Sequence, residues 1–206
     1  MDGSNITRLF PQREVACEDD GGTTSGSNGT VDADRVPIRI TRLEMTTPPT
    51  RSVPMPGTKG LGLLRLREVP VAFYTYLFES VGRDHHWRLP PDEGEAELDA
   101  YLNSSDCEVH VLYVGGAPAG FFELDARKRS EAVVIACFGI LPHARGRGLA
   151  RWFLSEAIRA AWQLDPPRVR LQTNNYDSPI ALRLYQQLGF EVTGSKDGYL
   201  ILGDGR

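Results

Sequence analysis

The stretch Ile140-Leu141-Pro142-His143-Ala144-Arg145-Gly146-Arg147-Gly148-Leu149-Ala150 combines residue types that can hold an anion. Gly146 and Gly148 remove side chains where backbone N–H groups must come close to a ligand. An apolar run precedes them and a helical pattern follows, and a helix N-terminus offers unpaired N–H donors and the positive end of a dipole. Arg145 and Arg147 add two permanent charges suited to phosphate geometry. Charge-assisted hydrogen bonds contribute about 1.5–3 kcal/mol each, so several of them would hold a diphosphate at such a helix start. The competing reading is a surface turn with solvated arginines; the strand before, the helix after and the paired arginines favour the anion. No Gly-Lys-Ser/Thr follows, which argues against a triphosphate–Mg²⁺ site. The third glycine of a dinucleotide-binding turn is also missing, and the segment lies late in the chain.

The elements that must position this loop are legible from periodicity. Ala132–Leu141 is a long apolar strand, expected to be central and covered on both faces. Gly148–Trp162 carries Leu149, Phe153, Leu154, Ala157, Ile158 and Ala161 as the apolar stripe of a helix. Further strands are predicted over Val36–Met45, Glu108–Tyr113, Pro118–Leu124 and Val169–Thr173, with short ones at Glu191–Val192 and Tyr199–Leu202. Gly115-Gly116 reads as a hairpin turn. Helical spacing predicts helices over Arg67–Val81, Pro91–Leu102 and Pro179–Leu188, the last with Asp177 or Ser178 as its cap and Gly189 as its stop. Thr47–Gly62 is rich in Pro and Gly and reads as a loop. The order of elements predicts an α/β fold with a mixed sheet covered by helices.

Two motifs on these elements carry a family resemblance. Arg145-Gly146-Arg147-Gly148-Leu149-Ala150 resembles the acyl-CoA signature of the GNAT acetyltransferases, Arg/Gln-x-x-Gly-x-Gly/Ala. Leu184-Tyr185-Gln186-Gln187-Leu188-Gly189-Phe190 resembles the family's second hallmark, Tyr-x-x-x-Gly-Phe. The resemblance covers about 37–206 and implies a GNAT acyl-CoA N-acyltransferase fold: a central, mostly antiparallel sheet with a splayed parallel pair, flanked by about four helices. It implies an acetyl-CoA-dependent N-acetyltransferase that moves the acetyl group to a primary amine of a small molecule or amino acid, by direct attack in a ternary complex. A protein N-terminus or lysine as acceptor, and a non-catalytic acyl-CoA-binding module, stay open beside it.

Carried over residue by residue, the resemblance implies that the loop amides of Arg145, Gly146, Arg147, Gly148, Leu149 and Ala150 hold the CoA diphosphate. Backbone groups of Phe138 and Ile140 would pair with the pantetheine as an added strand, and Tyr185 would protonate the leaving thiolate. As a plain helix residue, Tyr185 could equally fill a core. The family often places Asn where this chain has Ser178, which would bind the cofactor with a single hydrogen bond or cap the helix, with Asn174 and Asn175 nearby to compensate. Many relatives place a Glu on the strand before the loop, yet Ala132–Leu141 holds no acid. Glu123 is the candidate base, because Phe121-Phe122-Glu123-Leu124 sets a charge inside an apolar strand; a solvated, outward-facing Glu is the equal alternative. Glu131, His85 and His86 also remain open as the base.

Bulk properties frame these expectations. The 206 residues suffice for one full domain, expected over 37–206, behind a polar, Gly-rich tail over 1–36 that is expected to be flexible. A formal net charge of −4 disfavours a nucleic-acid partner. Three dispersed cysteines and four histidines suggest neither a zinc site nor a disulfide framework, so no metal is expected. No apolar run reaches bilayer-spanning length and no secretory leader is visible, so no membrane partner is expected and the reading is cytoplasmic. The chain could also pair as a homodimer.

Overall fold

A computed structural model describes residues 35–87 and 94–201. Eleven elements are described besides two single 3₁₀ turns: β1 (Arg35–Met45), β2 (Leu61–Arg65), α1 (Val71–Gly82), α2 (Glu95–Leu102), β3 (Cys107–Val114), β4 (Ala117–Asp125), β5 (Val133–Ile140), α3 (Ala150–Gln163), β6 (Val169–Asn174), α4 (Ala181–Gln187) and β7 (Glu191–Ile201). The tail expected over 1–36 lies outside the described residues except for its last two, which begin β1. The start of the helix expected at Pro91 also lies outside them.

The strands form one mixed sheet in the order β2-β3-β4-β5-β6-β1-β7. Every neighbouring pair is antiparallel except β5 and β6, which run parallel and are connected through α3. β5 is therefore the middle strand, as its apolar run predicts. Successive side chains of β4 alternate between two cores. Phe122 and Leu124 join the α3 residues Phe153, Leu154, Ala157 and Ile158 on one face. Phe121 joins Tyr74, Leu77 and Phe78 of α1 and Leu98 of α2 on the other.

One irregularity shapes the centre. Glu123 lies opposite Cys137 but Leu124 lies opposite Ile135, so Ala136 is an extra residue on β5. Such a bulge bends the strand and sharpens its twist. It also reverses the alternation, so that Ile135 faces the α3 core while Cys137 faces the α1/α2 core. The β5–β6 ladder has only two registered pairs, Val133 with Val169 and Val134 with Arg170, and ends just before the bulge. On its other side β6 is paired along its whole length, from Val169 opposite Met45 to Asn174 opposite Ile40. The parallel pair is thus closed at one end and splayed at the other, as the family resemblance implied.

Several boundaries differ from the sequence expectation. β2 starts inside the stretch expected to be a loop; it is a half-exposed edge strand, and its apolar positions carry little periodic signal. The last strands are one continuous strand, β7, held by β1 rather than by its own pattern. Helix α1 begins at Val71, because Pro70 is extended there (φ −63°, ψ 129°). Helix α4 begins at Ala181 instead of Pro179 and has no side-chain cap. Its expected cap, Asp177, instead accepts hydrogen bonds from the Thr173 hydroxyl and the Asn174 N–H, each at 2.9 Å. That choice tightens the turn leaving β6 at the expense of the first helical turn.

Candidate active site

The splay gives β5 a backbone edge that no strand occupies. From Ile135 to Ile140, the groups turned toward β6 have no ladder partner there. Phe138 and Ile140 lie on this edge, partly buried against the α3 core, and the Phe138 ring sits 5.2 Å from that of Phe153. An extended ligand could add itself here by main-chain hydrogen bonds, as an edge strand accepts a peptide.

The chain leaves β5 through a 3₁₀ turn, Pro142–Ala144, and reaches α3 by a loop with two left-handed residues. Gly146 (φ 74°) and Gly148 (φ 71°) adopt backbone that side-chain-bearing residues avoid, and a Cβ at either would meet nothing within 4 Å. The glycines therefore serve backbone conformation and leave open space above the loop. No described residue accepts a hydrogen bond from the N–H groups of Gly146, Arg147, Gly148, Leu149 or Ala150. Five successive unpartnered donors lead into the start of a 14-residue helix, where an anion can be held. Arg147 is exposed and makes no ion pair among the described residues. The loop thus fits the diphosphate of an acyl-CoA, and the free edge of β5 fits its extended arm.

Arg145 behaves differently from its neighbours. Its N–H points back to the Pro142 carbonyl at 3.3 Å. Its guanidinium donates to the Ile140 carbonyl at 3.0 Å, to Asp84 Oδ2 at 2.6 Å and to the Val81 carbonyl at 3.3 Å. Arg145 fastens the loop to the end of α1, and the run of free donors starts at Gly146. The guanidinium also draws the Asp84 carboxyl below the usual carboxylate range.

Tyr185 lies on α4, 8% exposed, with its ring against Phe190 at 6.3 Å. No described residue hydrogen-bonds its hydroxyl, and among the described residues no buried side-chain N or O atom lacks a partner. The hydroxyl is therefore the part of Tyr185 that reaches open space. Burial, and secondarily the charge of Asp177, push its pKa up, so it stays an O–H donor at physiological pH. Ser178 is half-buried in the turn before α4; its carbonyl accepts the Ala181 N–H at 2.8 Å, and its hydroxyl has no partner among the described residues. Asn174 and Asn175 are occupied: Asn174 Oδ1 accepts from the Tyr176 N–H, and Asn175 Oδ1 from the Arg39 N–H, each at 2.7 Å.

Glu123 is not solvated; it lies opposite Cys137, on the stretch of β5 that has parted from β6, and on the α1/α2 face of the sheet. It is 4% exposed and points into the α1/α2 core. Tyr74 donates to one oxygen at 2.6 Å, Tyr101 to the other at 2.8 Å, and the Cys137 thiol approaches at 3.6 Å. Burial raises its pKa, and the tyrosine hydrogen bonds partly offset that shift. The carboxyl ties α1, α2, β4 and β5 together. Glu131 lies in the turn before β5, at the closed end of the splay. Among the described residues no cluster of three or more His, Cys, Asp or Glu could hold a metal ion, and no helix is long and apolar enough to cross a membrane.

The acetyltransferase (GNAT) family model matches residues 74–190, more than half of the chain. The chain belongs to the GNAT family. The match runs from within α1 to the residue before β7 and so contains both the glycine loop and Tyr185. Solved GNAT structures share the fold. One from Novosphingobium aromaticivorans is 18% identical, with a TM-score of 0.57 over 80% of this chain and 64% of its own. A GCN5-related N-acetyltransferase from Kribbella flavida is 16% identical, with a TM-score of 0.54 over 84% of this chain and 61% of its own. The chain thus spans somewhat under two thirds of the length of these two relatives. AAC(6')-Iy, solved with a CoA-containing bisubstrate analog, is 17% identical, with a TM-score of 0.50 over 65% of this chain and 92% of its own. No curated protein matches the chain by sequence.

The sequence motifs located the loop and Tyr185 without help from the fold. They did not reveal Asp84, Tyr176 and Asp177, which join the loop after α1 to the mouth of the splay. Their partners lie 61 to 91 residues away in sequence, and no local pattern marks them.

Proposed function

We propose that this GNAT chain is an N-acetyltransferase that moves the acetyl group of acetyl-CoA to a primary amine of a small molecule or amino acid, by direct attack in a ternary complex. The observation that carries the proposal is the two-pair β5–β6 ladder, which opens directly onto five unpartnered amides at the start of α3. That arrangement offers one track for an extended thioester arm and a seat for its diphosphate. Acetyl-CoA supplies the activated acyl group; the chain supplies position, charge and proton transfer. Gly146 to Ala150 and Arg147 anchor the diphosphate, the free edge of β5 at Phe138 and Ile140 aligns the arm, and Ser178 offers its hydroxyl to the cofactor. The Tyr185 hydroxyl donates its proton to the departing thiolate. Holding amine and thioester together provides most of the acceleration, as oriented reactants react with effective molarities of about 10⁵ M or more.

Small-molecule acceptors receive support from the fold neighbour solved with an acetylneamine-bearing analog. The test is thiol release from acetyl-CoA with a panel of amines, paired with thermal shift. Acetyl-CoA at about 100 times its Kd should add about 2.7 kcal/mol of stability, whereas ATP and NAD should add none. Binding without thiol release for any amine would reduce the chain to an acyl-CoA-binding module. Stabilisation by ATP or NAD in place of acetyl-CoA would remove the proposal altogether.

A further inference from the structure

The short loop after α1 spans the open end of the splay, and adjacent residues hold its two lips. Val81, at the end of α1, sits directly over β5; a Cβ on Gly139 would come within 2.1 Å of Val81 Cγ1. From there Asp84 reaches Arg145, which also grips the Ile140 carbonyl at the end of β5. The next residue, His85, reaches the other lip: its Nδ1 lies 3.0 Å from the carbonyl of Tyr176, two residues past the end of β6. His86 sets its ring edge-on to Tyr176 at 5.8 Å, and Trp87 Nε1 points to Asp177 Oδ1 at 3.4 Å.

The His85 bond fixes the chemistry of the ring. A carbonyl oxygen only accepts, so Nδ1 carries the hydrogen and the lone pair of the neutral imidazole is on Nε2. No described residue bonds Nε2, and the side chain is half-buried at the mouth where an acceptor must enter. Glu123 presents the opposite state, with each oxygen already accepting a tyrosine hydroxyl inside the α1/α2 core. The charged or titratable groups around His85 are Arg83, Asp84 and His86 on its own loop, Arg145 from the loop before α3, and Asp177 from the turn after β6.

We propose that His85 is the proton acceptor for the incoming amine, with Nε2 facing the mouth of the β5–β6 splay. This rests on the acetyl-transfer reading above. As the amine nitrogen bonds to the acetyl carbon and the carbon–sulfur bond breaks, one amine proton passes to Nε2. The thiolate takes the Tyr185 proton, and the imidazolium and phenolate return to their starting forms through solvent.

The experiment uses the full chain with acetyl-CoA and the best amine of the panel. His85→Asn keeps an N–H near the position of Nδ1 for the Tyr176 carbonyl and deletes Nε2. It should lower kcat/KM by about 10²- to 10⁴-fold, flatten the acidic limb of the pH profile and leave the acetyl-CoA thermal shift intact. Asp84→Asn loosens the other lip without removing the imidazole, and its acidic limb should persist. If His85→Asn does not fold, His85→Gln is measured with the same readouts. A variant as active as wild type, a persisting acidic limb in it, or loss of acetyl-CoA binding would each overturn the role of His85. A wild-type chain that transfers to no amine would sink the acetyl-transfer reading itself.

Discussion

Two places in this molecule gather polar side chains, and they differ in what those groups have already found. In the α1/α2 core, Glu123, Tyr74, Tyr101 and Cys137 satisfy one another within a buried cluster. Elsewhere, the amides of Gly146 to Ala150, the Tyr185 hydroxyl and His85 Nε2 have no partner among the described residues. Buried donors and acceptors are expensive to leave unmade, at about 1–3 kcal/mol each, so a fold leaves them open only where solvent or a ligand completes them. The first cluster is closed on itself, whereas the second keeps its donors and acceptors free, and the proposed chemistry is built on the second. A charged residue inside an apolar strand, read from sequence alone, does not separate the two cases; the state of its hydrogen bonds does.

Substitutions can break this contrast, and the strongest is Gly148→Glu. It forces a side chain onto a left-handed position and brings a carboxylate to the five amides, so the stabilisation by acetyl-CoA should vanish from thermal shift while the apo chain still melts cooperatively. Unchanged affinity would take the loop out of the site. Tyr185→Phe should keep cofactor binding and lower turnover by about 10²-fold, seen as slower thiol release. A wild-type rate would return Tyr185 to the core.

The smallest kinetic effect is expected at Glu123, where the change should appear in stability. Its folded-state pKa is raised, so the folded chain holds this proton more tightly than the unfolded one. That contribution is complete below the ordinary glutamate range and is lost as pH rises through the folded-state value. Melting curves from acid to neutral pH should therefore show a shallower loss of stability for Glu123→Gln, with kcat near that of wild type. A kcat loss matching that of Tyr185→Phe, at unchanged stability, would move Glu123 from architecture into catalysis.

Much of this was legible beforehand, and for local reasons. The α3 stripe, the apolar β5, the Gly115-Gly116 turn (φ 61° and 86°) and the left-handed stop at Gly189 (φ 102°) all follow from residues within one or two turns of each other. The edge strand β2 escaped because its pairing with β3 joins Leu61 to Val114, far apart in sequence. Placing β1 between β6 and β7 required partners over 120 residues away, such as Met45 opposite Val169.

The sequence by itself determined the parts: a glycine-arginine loop ahead of an amphipathic helix, a strand leading into it, and a tyrosine four residues before a helix-ending glycine. These depend on backbone preference and side-chain periodicity, which act over a few residues. Tertiary structure alone decided which polar groups were left over. Glu123 met two tyrosines from different helices, Arg145 turned to Asp84, and His85 met the carbonyl of Tyr176 across the splay. A group's chemical availability is what remains after every partner in three dimensions has been counted, and those partners came from distant stretches of the chain.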